Sequence, residues 1–150
     1  MPGCGAKAMD DPHNLWRFLE AQEHNYATAL RELRAGQKRS HWMWYVFPQL
    51  RGLGRSDTAQ FYSISSLDEA RAYLADPILG QRLRECVDVL LKLSGSDAQD
   101  IFGGVDALKL HSCLTLFRIA APAEDDFVRA LEKYFGGKLD THTMALLEGL

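Results

Sequence analysis

The sequence has few cysteines and no long apolar run, and each lack argues against a class of protein. Cys4, Cys86 and Cys113 are the three cysteines in 150 residues, and none forms a CxxC pair. This odd count and spacing favour reduced thiols over a disulfide framework. No apolar run reaches the roughly 18 to 20 residues that span a bilayer, and the N-terminus lacks an apolar signal core. We therefore expect a cytoplasmic protein.

The chain also lacks the patterns of common catalytic and cofactor sites. Its five histidines are scattered, without HExxH or another metal-ligand spacing. The glycine-containing segment GLGRS, at residues 52–56, meets neither nucleotide-binding fingerprint. Adjacent Ser–His pairs at 40–41 and 111–112 point apart on a helix, so neither is a nucleophile–base pair. We predict no bound metal and no cofactor.

The net charge of the chain is small, but basic residues are concentrated in one segment. The formal net charge of −3 argues against nucleic acid as a partner. Between residues 31 and 55, however, there are six basic residues and a single acid, Glu32. The basic residues are Arg31, Arg34, Lys38, Arg39, Arg51 and Arg55. This basic stretch brackets the most aromatic segment of the chain.

Composition and length fit one folded domain. The content of 47% hydrophobic and 25% charged residues is ordinary for a globular protein. Residues 1–10 are expected to be a flexible lead-in, and residues 11–150 a single domain. Runs of alternating polarity with turn signals are missing, so strands are minor or absent. Helical periodicity predicts a compact all-α domain of six to nine helices, with a central apolar helix near residues 105–120.

Several start and stop signals place these helices. Asp11-Pro12 predicts a helix over about 12–35, and Ser40 predicts the cap of a short helix that ends at Pro48. Further predicted caps are Ser56, Ser66 with Glu69 as a capping box, Asp76-Pro77 before a helix to about 93, and Asp140.

The aromatic segment KRSHWMWYVFPQL, residues 38–50, is the first candidate for a site. A helix capped by Ser40 would present backbone N–H groups to an anion, with Arg39 beside them. His41 adds a titratable group, and Trp42 or Trp44 offers a ring for stacking. Gln49 would read polar groups. Tryptophans in short apolar helices are mostly core residues, and that interpretation stays open.

A polar row on the predicted central helix is the second candidate. Asp106, Lys109, Ser112 and Thr115 follow one another in steps of three, which keeps them roughly on one side. On the surface, Asp106 and Lys109 would form only a weak pair. In a central helix the row would need partners and would form the far wall of a polar pocket.

The segments LRAGQKRSHWMWYVFPQLRGLGRS, AQFYSIS, EARAYLADPILGQRL, IFGGVDALKLHSCLTLF and LDTHTMALL occur in this order. Together they resemble the bacterial domain-of-unknown-function 1810 family over about residues 14–148. The resemblance implies a mainly helical fold of the family's own type and no established activity.

We therefore expect the binding of a small anionic, ring-containing, nucleotide-like metabolite. Arg39, Ser40 and Lys109 would meet the anion, and Asp106 and Ser112 would line the pocket. His41 is the candidate for proton transfer, with Asp106 orienting it, and a pocket without chemistry fits equally well. The alternative is a protein-interaction module that exposes the HWMWYVFPQ aromatics. Convergence of His41, Asp106 and Lys109 favours a ligand, and a flat aromatic patch favours a partner protein.

Overall fold

Nine helices make up the regular structure of residues 11–150, the range that the computed structural model describes. The predicted lead-in and Cys4 lie outside the described residues. The helices are α1 (Trp16–Glu23), α2 (Tyr26–Arg34), α3 (Met43–Val46), α4 (Asp57–Phe61), α5 (Leu67–Ala75), α6 (Leu79–Lys92), α7 (Ala98–Ala120), α8 (Asp125–Phe135) and α9 (Thr141–Glu148). Within this range the all-α prediction is confirmed, and residues 50 and 64 form an isolated β-bridge.

The single first helix predicted over residues 12–35 is wrong, because two helices occupy this region. The carboxylate of Asp11 accepts the backbone N–H groups of Leu15 and Trp16 at 2.7 and 2.8 Å, so the helix begins later and leaves Pro12 outside. A second break lies at Asn25, whose φ of −124° is not helical. Its side-chain amide donates to the Ala21 carbonyl, which is the local competition typical of asparagine.

Three predicted caps are confirmed. The side chains of Ser56, Ser66 and Asp140 accept the backbone N–H three residues later, at 3.1, 3.1 and 3.0 Å. The reciprocal arm of the capping box at Ser66 is missing. The carboxylate of Glu69 instead accepts from Ser65 and pairs with Arg17.

The central apolar helix is confirmed as the second part of α7. Gly103 has φ 80° and ψ 170°, so it breaks α7 into residues 98–102 and a longer segment ending at Ala120. A positive φ suits glycine because it has no Cβ to clash. Six side chains of the longer segment are fully buried: Leu110, Cys113, Leu114, Thr115, Leu116 and Phe117. This segment packs against α5, α8 and α9.

The remaining core is built around α6, which contacts α2, α5 and α8. Cys86 of α6 and Cys113 of α7 are both buried and unpaired. Burial raises the pKa of the Cys86 thiol to about 12, so the group packs as a small apolar side chain. No helix within residues 11–150 has the length and apolar character to cross a membrane.

Candidate functional site

The predicted anion site at Ser40 already holds an anion, the carboxylate of Glu32. Its Oε1 accepts the backbone N–H groups of Arg39 and Ser40 at 2.8 and 2.9 Å and the indole N–H of Trp42 at 2.9 Å. Its Oε2 accepts the Ser40 hydroxyl at 2.6 Å. The expected donors are therefore present, but the chain supplies its own acceptor. We call these four residues the Glu32 cluster.

The capping role predicted for Ser40 is wrong. Helix α3 begins at Met43, and no side chain caps it, because the Ser40 hydroxyl donates to Glu32 instead. Burial raises the pKa of Glu32, but the hydrogen bonds from Ser40, Arg39 and Trp42 outweigh this effect and lower it to about 2. Glu32 is thus a permanent internal anion at neutral pH.

The aromatic segment is mostly core. Trp42, Tyr45 and Phe47 are 1%, 8% and 0% exposed, so they do not form the surface patch that the alternative prediction requires. Trp42 also has its indole N–H committed to Glu32 and offers no face to a ligand. Trp44 is partly exposed, and it alone of the two predicted stacking residues remains near solvent.

Asp106 is shared by two lysines. Its Oδ2 lies 2.8 Å from Nζ of Lys38, and its Oδ1 lies 3.5 Å from Nζ of Lys109. The Lys38 ammonium also lies 5.1 Å above the Trp42 ring, and that of Lys109 lies 4.8 Å above Trp44. Two positive charges therefore face one negative charge, and the group has a surplus of one cation.

Two of the four residues of the polar row line a pocket, whereas Asp106 and the fully buried Thr115 do not. A pocket of about 320 Å³ lies beside α7, and Lys109 and Ser112 form one wall of it. Gln49 forms another part of the lining, and Asp140 and His142 of the last segment close the pocket from the side of α9. We call this cavity the Lys109 pocket. Its apolar lining includes Leu53, Val105 and Leu108.

Asp140 places an ionised carboxylate, hydrogen-bonded within the chain, at the side of this pocket. Its Oδ2 accepts the Thr143 backbone N–H and hydroxyl at 3.0 and 2.6 Å and the Ser112 hydroxyl at 3.2 Å. Burial raises the pKa of Asp140, but these hydrogen bonds and the charge of His111 lower it overall. Oδ2 is thus bound within the chain, and the N-terminus of α9 stabilises the negative charge of Asp140.

The predicted site residues fall into three groups. Gln49, Lys109 and Ser112 line the pocket, and Asp106 and Trp44 contact Lys109 without lining it. Ser40, Trp42 and the backbone N–H of Arg39 belong to the Glu32 cluster. Arg39 and His41 are exposed and do not line the pocket. Arg39 donates to the side chain of Gln37, and within residues 11–150 the carboxylate of Asp106 pairs with the two lysines and not with His41.

Four residues of the site were not predicted. Glu32 could have been found from the sequence, because it is the single acid among six basic residues and an acid in that setting is expected to have hydrogen-bond or ionic partners. Lys38 carried no signal beyond its charge. Asp140 was predicted only as a cap, and His142 was not assigned to a site, because sequence gives no distance between residue 112 and residue 140. Within residues 11–150 no group of three or more acidic, histidine or cysteine side chains is arranged to hold a metal.

Comparison with known proteins places the fold among uncharacterised relatives. A family model described as "Protein of unknown function (DUF1810)" matches residues 12–147. The crystal structure of the conserved hypothetical protein Rv1873 from Mycobacterium tuberculosis is similar, with a TM-score of 0.90 and 53% identity, over 92% of this chain and 99% of that chain. No curated protein matches the sequence.

Proposed function

Because the chain belongs to the DUF1810 family, which is described only as of unknown function, we propose its function from the Lys109 pocket. It binds a small metabolite that combines one anionic group with one ring. Lys109 meets the anion, Gln49 and Ser112 read polar atoms, and the apolar side chains at the mouth cover the ring. The proposal includes no chemical step, because His41 and Asp106 do not meet.

The observation that carries this proposal is that the two lysines lie at unequal distances from the Asp106 carboxylate. Lys38 is 7% exposed and lies 2.8 Å from the carboxylate, so it neutralises Asp106. Lys109 is 23% exposed and its ammonium lies 3.5 Å from the carboxylate, which is a long ion pair. A lysine ammonium has three N–H donors. Lys109 thus keeps donors and charge for an anion that enters the pocket.

The size and lining of the pocket support a ligand with one ring. A volume of about 320 Å³ lies at the lower end of the roughly 300–1,000 Å³ typical of ligand sites. Such a pocket suits a mononucleotide or a smaller molecule and is too small for a dinucleotide. Val105 and Leu108 are 70% and 68% exposed at the mouth, and an apolar ring would cover them.

Thermal melting against a panel of ligands tests the proposal. The panel contains mononucleotides, sugar phosphates and aromatic carboxylates, with uncharged nucleosides as matched controls. A ligand at about 100 times its dissociation constant adds about 2.7 kcal/mol, or roughly 5–10 °C for a domain of this size. We expect an anionic ring compound to give this shift, and its uncharged counterpart to give much less.

Two variants assign the shift to the pocket. Lys109→Ala should abolish it. Lys92→Ala should keep it, because Lys92 is an exposed lysine in an ordinary surface pair with Asp88 and does not line the pocket. Trp44 gives an independent signal, since a ligand that attracts Lys109 changes the surroundings of the indole. No shift from any compound, or a shift that survives Lys109→Ala, would contradict the proposal.

A further inference from the structure

We propose a second ligand site, formed by a pocket of about 390 Å³ beside α1 and α4. Arg51 and Phe61 line it, and the buried pair of Arg17 and Glu69 forms its floor. We call it the Arg51 pocket. Its chemistry fits a small molecule with a carboxylate or phosphate group attached to an apolar ring. The site shares no lining residue with the Lys109 pocket and does not depend on the function proposed there.

The floor of the Arg51 pocket is rigid because Arg17 uses all of its donors inside the protein. The guanidinium has five N–H groups, and Arg17, only 7% exposed, makes five hydrogen bonds at 2.7 to 2.8 Å. The acceptors are the carbonyl oxygens of His13, Asn14, Phe61 and Ser63 and the carboxylate of Glu69. Three segments of the chain are thereby held in one geometry, which preorganises the pocket.

The charges of the floor cancel, and the charge of Arg51 does not. Arg17 lies 2.7 Å from the Glu69 carboxylate, whose other oxygen accepts the backbone N–H and hydroxyl of Ser65. Arg51 donates its Nε–H to the Ser63 hydroxyl at 3.1 Å, and this bond orients the guanidinium. Within residues 11–150 its two terminal nitrogens have no acceptor and the side chain has no acidic partner. A guanidinium in this state is suited to bind a carboxylate or phosphate through two parallel hydrogen bonds.

Phe61 supplies the apolar surface that such a ligand needs. The ring is 55% exposed, an unusual value for phenylalanine, yet it lines the pocket. Its orientation is fixed by an edge-on contact with Tyr62, with ring centroids 4.8 Å apart and an interplanar angle of 84°. A ligand whose anion meets Arg51 would place its ring against Phe61 and remove this surface from water.

Titration of the labelled full-length protein in two-dimensional NMR tests the proposal with three probes. Benzoate and phenyl phosphate carry the anion on a ring, and benzamide is the neutral counterpart of benzoate. We expect saturable shifts at the backbone amides of residues 13, 51 and 61 with at least one of the two anions. The stronger of the two identifies the anion class. Equal binding of benzamide, or shifts confined to other residues, would overturn the proposal.

Matched variants complete the test. Arg51→Gln should weaken binding about 10- to 100-fold, as expected for the loss of charge-assisted hydrogen bonds, and Arg51→Lys should weaken it less. Arg55→Gln is the control, because Arg55 is an exposed arginine of the same loop that does not line the pocket. Equal losses in Arg51→Gln and Arg55→Gln would mean unspecific attraction and would overturn the site. Lys109→Ala should leave these shifts unchanged, which separates this result from the fate of the Lys109 pocket.

Discussion

Around Glu32, four donors enclose a carboxylate that the chain supplies itself, whereas around Lys109 a cation faces an open pocket. Both regions combine basic residues, a tryptophan and hydrogen-bond donors, and they are joined through Lys38 and Asp106. The difference is one carboxylate. In the Glu32 cluster the negative charge is internal and the site is closed. Beside the Lys109 pocket, Asp106 is neutralised by Lys38 and Asp140 is hydrogen-bonded to Thr143, so Lys109 keeps donors for an anion.

Hydrogen-bond donors gathered in one place therefore do not by themselves indicate a ligand-binding site. They indicate that an acceptor is needed, and a residue distant in sequence can provide it. Lys38 is the clearest link between the regions, because its ammonium contacts the Ser40 carbonyl at 2.5 Å on one side and Asp106 on the other. Stability should therefore depend on the closed region, and ligand binding on the open one.

The largest expected effect is that of Glu32→Ala on stability. The change leaves the indole of Trp42, the Ser40 hydroxyl and two backbone N–H groups without their acceptor. We expect a loss of about 3–5 kcal/mol in the free energy of unfolding, measured with urea, as when one partner of a buried charged network is removed. Glu23→Ala, an exposed glutamate at the end of α1, is the control and should change stability by less than about 0.5 kcal/mol. A small loss of unfolding free energy in Glu32→Ala would mean that the Glu32 cluster does not stabilise the fold.

The second effect is a dependence of stability on pH. The pKa of Glu32 falls from the ordinary 4.5 to about 2 in the folded chain, so its charge stabilises the fold fully above pH 4.5. That contribution, about 3 kcal/mol, is lost as the pH falls through 4.5 toward 2. We expect the stability difference between the natural chain and Glu32→Gln to be largest at pH 6–7 and to shrink at pH 2–3. Asp140 and Glu69 titrate in both proteins, so their effects cancel in the difference.

The third prediction concerns Lys38, whose side chain is 7% exposed. Lys38→Met keeps the apolar stem but leaves Asp106 with the distant ammonium of Lys109 and leaves the Ser40 carbonyl without its donor. We expect a loss of about 1.5–3 kcal/mol in unfolding experiments. If Lys38→Met lowered the free energy of unfolding no more than a surface substitution, Asp106 would not be neutralised by Lys38. Lys109 would then carry no surplus charge.

The sequence predicts the fold better than the site, for physical reasons. Caps such as Ser56 and Asp140 and the apolar stripe of α7 are local features, and a local pattern is visible in the sequence. The break at Asn25 was missed because a single side-chain hydrogen bond to Ala21 is enough to compete with helix continuation. No strong helix-breaking residue marks the position.

The site depends on contacts between distant segments, which periodicity does not reveal. The row of Asp106, Lys109 and Ser112 was found because steps of three are readable on a helix. Its partners were missed, since Lys38 and Asp140 lie 68 positions before Asp106 and 28 after Ser112. The Ser40 donors were found, but their acceptor was expected to be a ligand. Glu32, eight residues before Ser40, is the acceptor, because the chain that follows α2 brings Arg39, Ser40 and Trp42 beside it.

The smallest expected effect on stability is that of Lys109→Met. Lys109 is partly exposed, its ion pair with Asp106 spans 3.5 Å, and its contact with the Trp44 ring is a cation–π pair at 4.8 Å. Partly exposed interactions of these kinds contribute about 0.5–1 kcal/mol or less. We therefore expect nearly unchanged urea unfolding together with the loss of any ligand-induced thermal shift. A charged residue that lines a pocket without contributing to stability has its charge free for a ligand. A large loss of unfolding free energy in Lys109→Met would instead mean that Lys109, like Lys38, serves the stability of the fold.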